Sequence, residues 1–190
     1  MQRTAEIERG IRGLTGKWAG RFIWAAVVQG VLAAAWTLFI VNPWTVPAAA
    51  MVIASGSAGT WLSFGYTLYV TIGVVAVAVT AVFYMYIERI LGRVYHGTTN
   101  YLAWAHLILM NVGVSGATWL MIVGGYLGGA ALLPVKSGGL GWNGGQVHEN
   151  ILKFYTEPVF AFVLLAIAGV LAGGLGYVLS MRNHHPISPP

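Results

Sequence analysis

Apolar residues fall in four long blocks along the chain, separated by short polar or glycine- and proline-rich punctuation, and this rhythm predicts four membrane-spanning helices. Residues 22–87, 94–135 and 158–181 are free of Asp, Glu, Lys and Arg. One crossing helix needs about 20 apolar residues, so the first stretch holds two crossings and the others one each. The first span is expected over about 22–41. It ends at Asn42-Pro43, because proline lacks a backbone N–H and pushes the preceding residue out of the helical region. The second is expected over about 61–90, stopping in the cluster Glu88, Arg89 and Arg93, the third over about 100–127 and the fourth over about 147–181. Residues 44–60 are apolar but rich in small residues, proline and serine. They are expected along the outer interface or as a re-entrant loop buried against protein. A glycine-rich loop from Ala130 to Gln146 joins the last two spans.

The two ends differ from the body. Residues 1–21 place Ile7, Ile11 and Leu14 at helical spacing among five basic residues, the pattern of an amphipathic helix on a headgroup surface. A signal peptide has too short an apolar region to match, since the run that follows is long enough to cross. Residues 182–190 read as a flexible tail. The expected fold is all-α: one membrane domain of four transmembrane helices in an antiparallel bundle with short loops.

Composition narrows the class further. Of the 190 residues 57% are hydrophobic and only 8% charged, against about 25% charged in a soluble domain. Mean hydropathy is +0.73. Four crossings leave no length for an extramembrane catalytic domain, so any chemistry belongs inside the bundle or on its rims. The absence of cysteine excludes disulfides, thiolate metal sites and cysteine-ligated clusters from this chain. The net charge of +5 is scattered over helix ends rather than gathered in a stripe, so the expected partners are the lipid bilayer and other membrane subunits, not nucleic acid. Eight of the ten Lys and Arg residues lie at the N-terminus, between spans two and three, or at Arg182; only Lys136 and Lys153 lie elsewhere. The positive-inside rule then places both termini in the cytoplasm. Glycines four apart (Gly124 and Gly128, Gly125 and Gly129, Gly169 and Gly173) would let helix backbones approach closely. Trp18, Trp24, Trp44, Trp61 and Trp142 are expected as interfacial anchors.

Ionisable groups at membrane depth are functional candidates by default, and few occur. Glu88 is expected to pair with an arginine one turn away, and His184 and His185 fall in the tail. His148, Glu149 and Glu157 open the fourth span, with Glu149, Lys153 and Glu157 at i, i+4 spacing; this is either a salt-linked rim or a copper or proton-entry site. Pro158 would kink the helix and free carbonyls there. His106 lies two turns inside the third span, with Asn111 and Gly113 beyond it. A histidine in an apolar bundle is either hydrogen-bonded to a neighbouring helix or a ligand for haem or a quinone head group. Asn111 would serve as a polar partner across helices, and Gly113, seven residues on from His106, would admit a flat macrocycle.

The stretch His96-Gly97-Thr98-Thr99-Asn100-Tyr101-Leu102-Ala103-Trp104-Ala105-His106-Leu107 resembles a segment of the catalytic subunit of the heme–copper oxidase superfamily, especially its nitric oxide reductase branch. In that family an H-G-T opening precedes a helix with an H-x-H pair, whose first histidine ligates the high-spin haem and whose second ligates the low-spin haem. The resemblance therefore implies a haem-facing role for His106. Trp104 stands at the first position, where it cannot ligate iron, and the other histidines of a dinuclear centre are missing. The family's helix also starts at the outer side, opposite to the charge count here. The resemblance implies an accessory or haem-associated membrane subunit of a respiratory terminal oxidase-type complex, in a prokaryotic plasma membrane, stabilising a core subunit or shaping a quinol or proton path. Two other classes stay open: a membrane subunit of a copper-dependent ammonia or hydrocarbon monooxygenase, and a small oligomeric transporter.

Overall fold

The computed structural model describes residues 16–182. It is 84% helical with no strands among the described residues. The amphipathic segment expected over 1–21 lies outside the described residues up to residue 15, as does the tail from residue 183, with His184 and His185.

Four helices are long and apolar enough to cross a membrane: α1 (Lys17–Val41), α3 (Ala58–Ile90), α4 (Thr98–Leu132) and α5 (Gly144–Arg182). A short helix, α2 (Ala49–Ala54), lies between the first two. The observed helices run past the expected spans, and the contacts at their ends show why. α1 starts at Lys17, where the Glu88 carboxylate, brought from the end of α3, accepts hydrogen bonds from the backbone N–H groups of Trp18 and Ala19 at 3.0–3.1 Å. A carboxylate at that place satisfies orphan donors and opposes the helix dipole. α4 continues past Leu127 to Leu132. Its glycines are pressed against neighbouring backbone, and that packing outweighs glycine's weak helix propensity. α5 starts at Gly144 because Asn143 and Gln146 cap each other reciprocally, each side chain accepting from the other's backbone N–H at 3.0 Å.

α4 is the most buried of the four long helices and touches all the others. The first half of α3 packs on the last half of α4, α1 packs on the middle and second half of α3, and α5 lies along α4. The segment before α3 folds back onto protein. Ala49 and Val52 are fully buried, the Tyr126 hydroxyl donates to the Pro47 carbonyl at 2.9 Å, and the Ser55 hydroxyl donates to the Gly129 carbonyl at 3.3 Å.

The glycine pairs act as close contacts. A Cβ on Gly125 would overlap the backbone of Leu62, one on Gly129 would strike Gly59 and Val52, and one on Gly169 would overlap the backbone of Met110. Of the tryptophans expected at interfaces, Trp24 and Trp44 are largely exposed, but Trp18 is fully buried. It packs within 6.4 Å of the rings of Tyr84, Tyr95 and Trp104, so it serves the core rather than the rim. Outward faces carry large apolar side chains, including Phe64, Phe83, Phe160 and Leu171. That is an unaffordable surface in water and a normal one in hydrocarbon.

Candidate interhelical cleft

α5 rides on α4 and barely touches α1 or α3, which leaves a groove on each side of the α4–α5 seam. The groove between α3 and α5 has a volume of about 640 Å3 and a lining that is apolar except for His106, Thr80 and the tyrosines Tyr84, Tyr95 and Tyr177. A few convergent polar groups in an apolar concavity of this size are what a small-molecule site offers.

His106 is placed by three helices. It is 9% exposed. Its Nδ1 lies 3.1 Å from the Tyr84 hydroxyl of α3, Phe22 of α1 packs on its ring at 5.0 Å and stacks on Tyr84 at 4.7 Å, and Gly173 of α5 lies so close that a Cβ there would overlap the imidazole. At 1.5 Å per residue, His106 lies about 12 Å in from the start of α4, and Tyr84 about 9 Å in from the end of α3. The pair is thus deep enough to be hard to hydrate, which strengthens the hydrogen bond between them. Below them Tyr95 is buried between the helix ends and within 5.2 Å of the Tyr84 ring. Burial pushes its hydroxyl above the ordinary tyrosine value, and the nearby Glu88 carboxylate adds to the rise.

The groove between α1 and α5, about 580 Å3, has a different polar floor formed by Gln29, Asn111 and Ser115. Asn111 is the polar partner across helices that its position suggested. The buried Gln29 side chain of α1 donates from Nε2 to Asn111 Oδ1 and to Ser115 Oγ, both at 3.0 Å. Gln29 Oε1 accepts from the Tyr69 hydroxyl of α3 and from Ser115 Oγ at 3.2 Å. Asn111 Nδ2 donates to the Leu107 carbonyl at 2.7 Å. The network ties α1, α3 and α4 together, and Asn111 does not face His106. Gly113 does not provide room for a macrocycle. A Cβ there would overlap Ala166 and the Phe162 carbonyl, so its space is taken by the α5 backbone. The open ground beside His106 lies instead at Gly174 of α5, where a Cβ would meet nothing within 4 Å.

Trp104 points to α1. Its ring meets Trp18 edge-on at 5.2 Å, and the Arg21 guanidinium lies 4.3 Å from the centroids of both indoles. This cation–π sandwich fastens α1 to α4 near the helix ends. His96 is exposed in the connection before α4, its Nδ1 2.9 Å from the Val94 carbonyl.

His148, Glu149 and Glu157 are exposed at the start of α5. Lys153 pairs with Glu149 at 3.0 Å, an exposed i, i+4 contact of small energetic value. Among the described residues no three His, Cys, Asp or Glu side chains gather in a group that could hold a metal. Pro158 stands inside α5, which runs on through it, and the turn that follows the first one, His148–Leu152, is wound as π-helix.

Sequence reasoning missed Tyr84, Tyr95, Gln29 and Tyr69. Gln29 had a legible signal, since an amide in the middle of an apolar span has to find a partner. Tyr95, beside the helix ends, had none, because a tyrosine there reads equally well as a lipid-facing anchor, whereas Tyr69 and Tyr84, inside α3, carried the same signal as Gln29. Comparison with known protein families, curated proteins and solved structures finds nothing that matches this chain.

Proposed function

We propose that this chain is an integral membrane subunit of an electron-transfer complex that binds a quinone head group in the cleft between α3 and α5. The observation that carries this reading is the His106–Tyr84 pair on the floor of an apolar groove of about 640 Å3 that opens sideways between helices. A quinone is an isoprenoid solute of the bilayer. It needs lateral entry from lipid, an apolar slot for the ring, and one or two hydrogen-bonding groups for its oxygens, and the cleft has all three. His106 and Tyr84 address the head-group oxygens, and Tyr95 and Tyr177 line the way toward the helix ends.

The same reading places the four long helices across the bilayer in alternating directions, with both termini on the cytoplasmic side by their excess of Lys and Arg. The resemblance of residues 96–107 to a heme–copper oxidase segment supports the same class of respiratory complex. Quinone is preferred to haem because of the ligands on offer. Met110 also lines the cleft, but it lies one turn from His106 on the same helix and cannot reach the opposite face of a macrocycle held by His106, and the Tyr84 hydroxyl is spent on His106 itself.

The test is binding of a short-chain quinone analogue to the detergent-purified chain, followed by tryptophan quenching, with co-purifying subunits identified by mass spectrometry. His106→Ala and Tyr84→Phe are expected to weaken binding about tenfold each, the value of one lost hydrogen bond to a ligand. Unchanged affinity in both variants, or a reduced-minus-oxidised haem spectrum that disappears with His106→Ala, would remove the quinone reading.

A further inference from the structure

The groove between α1 and α5 shares no lining residue with the cleft beside His106, and its polar floor lies at mid-helix. Gln29 is twelve residues from either end of α1 (Lys17–Val41), so the floor is about 18 Å from both ends of that helix at 1.5 Å per residue. With α1 taken as a span, amide groups stand at the middle of the hydrocarbon, where an unmet polar group is costly.

The hydrogen bonding of that floor is incomplete at one residue. Both N–H groups of the Gln29 amide are engaged, one by Asn111 Oδ1 and one by Ser115 Oγ. Asn111 is half-buried and lines the groove. Its Nδ2 carries two N–H groups; one donates to the Leu107 carbonyl, and the other has no acceptor among the described residues. Its Oδ1 accepts once, from Gln29, and keeps a second lone pair. A free donor and a free acceptor of one amide thus border an apolar space of about 580 Å3.

The walls are aromatic and the apolar ground continues. Trp24, Trp119 and Phe162 line the groove, and Trp119 is held edge-on by Tyr69 at 5.8 Å and Trp36 at 6.2 Å. Leu32 and Trp119 also border a further hollow of about 340 Å3 beside Ala35 and Phe39. At the mouth, Trp24 and Val28 are 72% and 55% exposed. A phospholipid cannot use the amide, because its polar groups stay at the interface, about 15 Å from the bilayer centre. The occupant has to be wholly lipid-soluble, with a flat head carrying an oxygen and an apolar tail.

We infer that this groove is a second quinone-binding site, the head-group oxygen held by the Asn111 amide and the tail following Leu32 toward Phe39. Nδ2 donates to the carbonyl of a quinone, and Oδ1 accepts from the hydroxyl of a quinol. Asn111, Gln29 and Ser115 do not titrate, so the site holds its ligand without exchanging a proton with it, whereas an imidazole can exchange one. The inference rests on the quinone reading for the class of ligand, but it uses no side chain of the first cleft.

The experiment counts the short-chain quinone analogue bound to the detergent-purified full chain by equilibrium dialysis, with protein-free micelles as the blank. Two equivalents per chain are expected. His106→Ala should weaken one about tenfold, and Asn111→Leu should weaken the other about tenfold, the value of one lost hydrogen bond. Val28→Trp fills the mouth from an exposed position and leaves every hydrogen bond of the floor in place. It should abolish the second equivalent, and it serves if Asn111→Leu fails to fold. A single equivalent that weakens in His106→Ala would overturn the second site and leave the first. A single equivalent lost in Val28→Trp but indifferent to His106→Ala would support this site and remove the first. Binding unchanged in both Asn111→Leu and Val28→Trp would overturn the assignment. So would loss of a co-purifying subunit in Val28→Trp with both equivalents kept, which would give the groove to a partner's helix.

Discussion

Two contact regions of α4 solve the packing problem in opposite ways. Toward its end, α4 meets the first half of α3 through glycine, with the Gly125 and Gly129 positions set directly against the Leu62 and Gly59 backbone. Toward its beginning, it meets α1 and the second half of α3 through rings: Trp18, Phe22, Tyr84, Tyr95 and His106. Backbone-to-backbone contact is dry, rigid and without internal space. Ring packing holds helices further apart and leaves gaps wherever a ring is missing, and the cleft beside His106 opens at this ring-packed end. Glycine returns there along α5, where Gly169 lies against the Met110 backbone and Gly173 against the imidazole. Close backbone packing and the open cleft thus fall at different ends of one helix.

The largest effect is expected from breaking the glycine side. Gly125→Val forces a branched side chain into the Leu62 backbone, which cannot yield, and should cost about 3 kcal/mol or more; loss of folded yield in detergent would register it. Gly173→Ala meets the edge of a side chain instead. Displacing His106 is expected to cost about 1–3 kcal/mol while moving the imidazole off Tyr84, so thermal stability and quinone affinity should fall together. If the first variant is as mild as the second, the distinction between rigid and yielding ends fails.

Smaller effects sharpen the comparison. Gln29→Leu removes the hub of the network that joins α1, α3 and α4, leaving Tyr69, Asn111 and Ser115 to find other partners. Its expected cost is roughly 1–2 kcal/mol, the upper range for polar contacts within membranes, read as a lower unfolding midpoint with quinone binding beside His106 kept. Gly174→Leu should shift stability by no more than about 0.5 kcal/mol, because its Cβ meets nothing within 4 Å. It projects from the cleft lining, however, and should weaken quinone-analogue binding without a change in unfolding. A loss of stability in this variant would mean that the cleft is closed by packing rather than open to a ligand.

Much of this architecture was legible in advance. Four apolar blocks, the stop at Asn42-Pro43 and the spaced glycines are one-dimensional signals, because helix length and close approach depend on local composition and on small residues at fixed intervals. His106 was legible as the deep ionisable group. Its environment was not, since Tyr84, Phe22 and Gly173 come from three other helices, and no pattern along one strand of sequence encodes which faces meet. The contact that holds the start of α1 was not legible either, since Glu88 is supplied by the end of α3. Gly113 and Gly173 show the same limit more sharply. Both lie opposite the other helix of the α4–α5 pair, yet one is filled by backbone and the other shelters an imidazole.

By itself, then, the order of residues determined an all-helical chain with four helices able to cross a membrane, because the energetics of apolar length and proline interruption act locally along the chain. Tertiary structure decided where α5 lies on α4, and hence that grooves run on both sides of it, that Asn111 joins Gln29 rather than His106, and that His106 pairs with Tyr84. Those outcomes depend on which helix faces meet, and nearly every face of this chain is apolar.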